Sequence, residues 1–534
     1  MKRQSVLGGS LLLMASAVIA KILGAIFRIP LTAMLGGEGM GYFSSAYGLF
    51  LPVFSLSVTG INTAVATLTA KLLAQNDDRR AWVLYRRSLG LFAGIGLLGS
   101  ILLFYFSKPL CTYFLGNPGA QPAVRCFAPA IFFCCMNAVL RGVWEGRQDM
   151  RPTAVSQAME SAARLLFGLF LCRFVLDHPN LPFLSDIPPA QASAAAAILG
   201  VTISTAVGTL LLLFRPIPRP LHHTLPRTDA NALLRTLRKL LIPISAAALV
   251  TNLTSIADLV TGMRGLEQMI LKNPQQFSAF RSPEKAANFL YGAYAGMSVT
   301  IFHLIPSLSN MLGKGVLPAF AASFTAKDTN AMSRHAASAL QAAAFLSVPA
   351  GLGIFALSQP ILMMLFPTRP DEISAAAPPL MLLGLAVIPL ALSIPLMSML
   401  QAADSAPDSA RITLAGVAVK LTANLILIPK IGLMGMAYST LLCYLVILIC
   451  AAFVFRKKTA VEPHLLRISA NPLISGALCA VGAASGYPLL LHKIAQPIAL
   501  LLSVILGGGI YLLSMWCLHT PRSFSPTQHK KAQA

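Results

Sequence analysis

Charge is what this chain has least of. Only 11% of its 534 residues are Asp, Glu, Lys or Arg, against about a quarter in soluble domains, which excludes an ordinary soluble globular protein. Acids are scarcest, 18 against 41 Lys and Arg, for a formal charge of +23. In a soluble protein that excess would point to nucleic acid; in a chain this apolar it points to basic cytoplasmic loops, and no nucleic-acid partner is expected. The nine cysteines show no CxxC spacing and no His at metal-ligand distances. Cys111 is expected in a short external loop and the others in or beside apolar runs, as small packing residues. There is no GxxxxGK[ST], HExxH or GxSxG, and no stretch long enough for a soluble ATP-hydrolysing domain. The glycine-rich GGEGMG at 36–41 reads as a short external turn. These absences argue against an enzyme and against any resident metal or cofactor, leaving open a coupling ion, Na+ or H+.

What is there is apolar: 56% of the residues. Runs of about 20 apolar residues span a bilayer as helices, and fourteen are expected, at 5–33, 41–72, 88–108, 122–143, 153–176, 190–214, 239–263, 286–312, 336–366, 375–402, 410–429, 431–455, 470–491 and 495–518. The expected fold is therefore all-α and polytopic. The N-terminal run exceeds a signal-peptide core and lacks a convincing cleavage site, so it reads as a retained first helix. Most of the Lys and Arg fall in alternate loops, including the stretch Arg141 to Arg151, which places both termini in the cytoplasm by the positive-inside rule.

Weak matches at a shared offset suggest an internal duplication. FSKPLCTYFL after the third run resembles LSQPILMMLF after the ninth, and the same offset carries Asp77 onto Asp328. Six helices per repeat is an even number, so the halves share one orientation and are related by a pseudo-twofold along the membrane normal. This gives an N-terminal lobe at 1–214, a basic proline-rich cytoplasmic linker at 215–238, a C-terminal lobe at 239–458, and two further helices with a cytoplasmic tail at 459–534.

A few charges lie inside the apolar runs, where each costs roughly 3 kcal/mol even on the lenient insertion scale. Lys21 and Arg28 are seven residues apart in the first run, about two helical turns, and so share one face. A two-cation stripe in a membrane helix points to something anionic. Arg28, near the helix end, also has snorkelling open to it; Lys21 is deeper. Glu160 and Arg164 have the i, i+4 spacing of an ion pair, either structural or a conditional gate. Asp258 and Lys420 are lone opposite charges that would pair if the halves pack as the repeat implies. The alternative is a cation site among Thr251, Asn252, Thr254, Ser255 and Asp258, which an ammonium there would oppose; the ion pair is favoured. His303 is either a packing residue or a proton carrier, and stands with Lys21 and Arg28 as a candidate to bind the substrate. Asn62, Asn137, Asn252, Gln401 and Asn424 suit interhelical hydrogen bonds, with Asn62, Asn252 and Asn424 also candidates to line a polar cavity.

The segments KILGAIFRIPLTAMLGGEGMGYFSSAYGLF, SLSVTGINTAVATLTAKLLAQND and VLRGVWEGRQDMRPTAVSQAMESAARLLFG resemble the stage V sporulation protein B and polysaccharide-exporter family. That family sits with the MurJ-type lipid II flippases in the multidrug/oligosaccharidyl-lipid/polysaccharide superfamily. The resemblance implies two six-helix lobes, alternating access across a bacterial plasma membrane, and an undecaprenyl-diphosphate-linked saccharide as cargo, such as a peptidoglycan precursor. Lys21 and Arg28 fall where those flippases carry first-helix cations. The second-helix arginine has no counterpart here before Lys71, and for the eighth-helix one only His303 and Lys314 stand nearby. The expected function is flipping of such a lipid by a monomer whose partners are the lipid-linked saccharide, anionic membrane lipids and cell-wall synthesis enzymes. The alternatives are a toxin-extrusion-type cation antiporter and a non-transporting scaffold for wall synthesis.

Overall fold

The computed structural model describes residues 6–180, 186–218, 227–306, 319–403 and 405–519, with no strand among them. The helices used below are α1 (Val6–Ser55), α2 (Asn62–Ala74), α3 (Asp78–Tyr105), α4 (Gln121–Gly146), α5 (Arg151–Asp177), α6 (Pro189–Leu213), α7 (Arg227–Lys272), α8 (Pro283–Ala293), α9 (Thr329–Leu365), α10 (Pro370–Ala402), α11 (Ala406–Ile431), α12 (Leu433–Thr459), α13 (Leu465–Leu491) and α14 (Gln496–His519). Much of the expected linker (219–226), the termini, and Lys314 lie outside the described residues, as does the side chain of Thr251.

Eleven segments among the described residues are long and apolar enough to cross a bilayer, so fourteen is not reached by that measure. The first, Ala15–Ala74, merges two expected spans. Helices α5 and α7 cover the expected spans 153–176 and 239–263 as continuous helix but are not among the eleven. In α5 the apolar run is diluted by Glu160, Arg164 and the polar residues before them.

The merger has a local cause. Gly36 alone breaks α1, at φ 62° and ψ −173°, a backbone region essentially confined to glycine. Sixteen residues of straight helix would separate Phe27 from Phe43 by about 24 Å, yet their ring centroids are 6.3 Å apart. The chain therefore reverses at Gly36 into two arms, 6–35 and 37–55. The expected loose turn at 36–41 is corrected accordingly: after Gly36 the segment is helix, and it is largely buried. Tertiary packing outweighs the poor helix propensity of its glycines, because Gly37 and Gly41 let α8 come into backbone contact. A Cβ on Gly292 would collide with the Gly37 carbonyl and the Gly41 amide. Polar clamps fix this crossing: Asn288 Nδ2 donates to the Glu38 carbonyl at 2.6 Å, and Asn117 Nδ2 donates to Asn288 Oδ1 at 2.7 Å and Ser45 Oγ at 2.9 Å.

By packing, the chain forms two compact units. The first comprises Met1–Thr300 with Lys420–Met436. Its core gathers Trp82, Leu84, Phe92, Leu140 and Trp144, onto which Leu233, Leu234, Leu240 and Leu241 of α7 pack. Helices α4 and α5 carry the polar residues described below. Cys111, expected in a short external loop, lies in a π-helical turn, Leu110–Leu115, and is fully buried there.

The second unit comprises Ile301–Val419 with Ala437–Ala534. Its core runs through Phe320, Met332, Leu340, Leu396, Ile447 and Phe455. Helices α9 and α10 approach closely at Gly351 and Gly384, where a Cβ on either would meet the other's carbonyl. The last two helices pack through Gly507 against Cys479, and the Tyr511 hydroxyl of α14 donates to the Phe345 carbonyl of α9 at 3.1 Å.

Candidate functional site

The intramembrane charges of the first unit fall into three clusters. The first lies on the outgoing arm of α1. Lys21 is exposed and Arg28 half-buried. Gly24, on the same face between them, has open space where a Cβ would stand. Two cations thus flank an uncrowded strip of helix.

Arg28 is held by a defect just past the end of α8. Residues Tyr294–Ser298 form a π-helical turn, and such a bulge leaves carbonyls without their usual i+4 donors. Arg28 Nη2 donates to the Ala295 carbonyl at 2.9 Å, and Thr32 and Thr300 hydroxyls donate to the Gly296 carbonyl at 3.4 and 2.6 Å. The guanidinium also lies 6.0 Å from the Tyr47 ring centroid. Its Nε, buried, has no hydrogen-bond partner.

The second cluster centres on Glu160, 4% exposed. Its carboxylate accepts from Arg164 Nη2 at 3.1 Å on one oxygen and from Arg141 Nη2 at 2.9 Å on the other. Arg141 also donates to Ser156 Oγ at 3.0 Å, and Ser156 in turn donates to the Gly208 carbonyl at 3.0 Å. Arg164 Nη1 reaches the Tyr47 hydroxyl at 3.5 Å. Tyr47 therefore stands between Arg28 and Arg164, and links the two clusters. In direct contact, two guanidinium groups share the Glu160 carboxylate, with a third guanidinium on the far side of Tyr47.

Arg141 is the residue sequence reasoning missed. It was expected at the cytoplasmic end of the fourth span, counted with the cytoplasmic cations, yet it is 4% exposed within α4, which continues a turn beyond it to Gly146. The available signal was the apolar pair Val143 and Trp144, which continues the run past Gly142. Asn62 and Asn137 border the same buried cavity of about 10 Å³, with Glu160, Arg141 and Thr205; that is room for about one water. The side-chain oxygens of both asparagines find no donor, while Asn62 Nδ2 donates to Glu145 at 3.2 Å.

The third cluster joins α7 to α11. Lys420 Nζ is 2.6 Å from Asp258 Oδ2, and Asn424 Nδ2 donates to Asp258 Oδ1 at 3.1 Å and to Thr261 Oγ1 at 2.9 Å. Asn252 is half-buried two turns before Asp258, among neighbours of its own. His303 belongs to the second unit, exposed, with its ring 5.0 Å from Phe302. Among the described residues, no three His, Cys, Asp or Glu side chains gather to hold a metal.

Residues 6–324 match the family model described as polysaccharide biosynthesis protein, and residues 275–516 match the model described as lipid II flippase MurJ. Stage V sporulation protein B of Bacillus subtilis (strain 168) is 25% identical over 214 residues, 40% of this chain and 39% of that protein. Lipid II flippase MurJ of the same organism is 21% identical over 95% of this chain and 94% of its own length. Among solved structures, an inward closed lipid II flippase MurJ covers 95% of this chain and 99% of its own, with a TM-score of 0.70 at 14% identity. An inward-facing multidrug resistance MATE family transporter of the MOP superfamily covers 83% and 94%, with a TM-score of 0.65 at 14% identity. At those identities the likeness is one of fold.

Proposed function

The chain belongs to the polysaccharide biosynthesis protein family, and from that premise we propose that this multi-pass bacterial membrane transporter flips an undecaprenyl-diphosphate-linked saccharide by alternating access. The observation that carries this reading is the α1 strip of Lys21, Gly24 and Arg28. Seven residues of helix separate the two cations by about 10 Å along the axis. Long side chains reaching over an unobstructed glycine close that gap around a diphosphate, as paired charge-assisted hydrogen bonds. Lys21, exposed, makes the first contact. Arg28 is pre-positioned by the Ala295 carbonyl with its Nε still unmatched.

The balance of charge supports an anionic cargo over a cationic one. A cation antiporter needs carboxylates facing its cargo, and here Glu160 and Asp258 are each bound to basic side chains. The lipid tail remains in the bilayer while the headgroup crosses, so the cations have to bind strongly enough to capture the diphosphate and weakly enough to release it. Depletion of the protein in its host, followed by mass spectrometry of the lipid fraction, tests the reading. A polyprenyl-diphosphate saccharide accumulates if it holds; an unchanged lipid-linked pool contradicts it.

A further inference from the structure

The Asp258 cluster has the makings of a metal-cation site with its cation already supplied. Alkali cations bind where several oxygens converge with about one negative charge. Asp258 gives a carboxylate, Thr261 a hydroxyl three residues on, and Thr254, buried, a hydroxyl four residues before on the same helix face. Asn424, fully buried on α11, donates its side-chain N–H groups to Asp258 and Thr261 and so holds those two oxygens side by side. Against the carboxylate sits the Lys420 ammonium at 2.6 Å, its side chain only 4% exposed.

We infer that Lys420 is a tethered cation occupying an oxygen-lined seat between α7 and α11, so that this chain takes no dissolved alkali ion there, and that deleting the amine turns the seat into an Na+ site. The physical reason is charge neutralisation in a shielded place, where the Lys420 side chain is 4% and the Asp258 side chain 18% exposed. A lone Asp258 carboxylate there is unfavourable, and it is relieved by a monovalent cation of any origin. The covalent one outcompetes ions in solution because its effective concentration at the carboxylate is high and independent of salt. Transport then draws nothing from an Na+ gradient through this seat. The inference rests on the seat alone and holds whatever the cargo is.

The test is thermal unfolding of the purified full-length chain in NaCl, KCl and choline chloride at equal ionic strength. The wild type is expected to melt at one temperature in all three. Lys420→Ala is expected to melt lower in choline and to recover by at least about 2 °C, saturably, with Na+. The double variant Asp258→Asn/Lys420→Ala, with no charge to neutralise, is expected to be indifferent to the salt. If Lys420→Ala does not accumulate, Lys420→Gln, which keeps a donor for Asp258, is measured by the same criterion. Two results overturn the inference. One is an Na+-specific stabilisation of the wild type that Asp258→Asn abolishes. The other is a Lys420 variant equally stable in all three salts and stabilised only by acid, which would mean that Asp258 takes up a proton instead.

Discussion

Glu160→Gln isolates the electrostatic joint of the first unit while leaving its shape unchanged. The wild-type carboxylate sits 2.9 Å from Arg141 and 3.1 Å from Arg164, almost wholly buried. Taking charge centres about 4 Å apart and an effective dielectric near 20, each pair gains about 4 kcal/mol before desolvation. The amide removes the carboxylate's charge and leaves the buried Arg141 and the largely buried Arg164 guanidinium groups facing each other, and breaking such a buried pair costs about 3–5 kcal/mol. For a unit of roughly 300 residues the unfolding entropy is about 0.6 kcal/mol per degree, so the midpoint should fall by about 5–8 °C. The assay is thermal unfolding of the detergent-purified protein, followed by tryptophan fluorescence from Trp82 and Trp144, which lie in the core of that unit. Adding Arg141→Gln to Glu160→Gln should restore part of the loss, because it removes one uncompensated cation. A Glu160→Gln midpoint within about 1 °C of wild type would refute the reasoning, as would a double variant less stable than the single one by the full cost of Arg141→Gln alone.

Two further outcomes follow from the backbone. Gly36→Ala forces an L-residue to φ 62°, ψ −173°, which costs about 1–3 kcal/mol; a lower melting temperature at normal membrane insertion is expected, and an unchanged one would place the reversal elsewhere. Gly292→Val drives a branched side chain into the Gly37 carbonyl and Gly41 amide. It should separate α8 from α1 and prevent accumulation of folded protein, measured by size-exclusion of a fluorescent fusion.

The helices were legible because hydropathy dominates in a bilayer: with no water to satisfy the backbone, apolar runs have little choice but helix. The Glu160–Arg164 spacing and the isolated charges Asp258 and Lys420 were legible for a related reason, since buried charges need partners and few are available. Arg141 was not. It lies near the end of an apolar run beside Gly142 and Glu145, where a basic residue ordinarily marks the membrane surface, and Arg164 already accounted for the charge of Glu160. The turn at Gly36 looked like a loop because its glycines break isolated helices; only their contact with Asn288 and Gly292 makes them helical. The π-helical turn at Tyr294–Ser298, which orients Arg28, leaves no periodicity to find, because one extra residue in a turn is invisible against a uniformly apolar run.

In the proposed function, two cations on α1 carry a lipid-linked diphosphate across the membrane. Its most direct test is reconstitution in vesicles loaded with a fluorescent polyprenyl-diphosphate saccharide, following the label that becomes accessible to an external quencher. The wild type should equilibrate the label between leaflets, and Lys21→Ala, inserted at the same density, should leave it where it was placed, with Lys21→Arg restoring movement. Movement by Lys21→Ala at the wild-type rate would contradict the account.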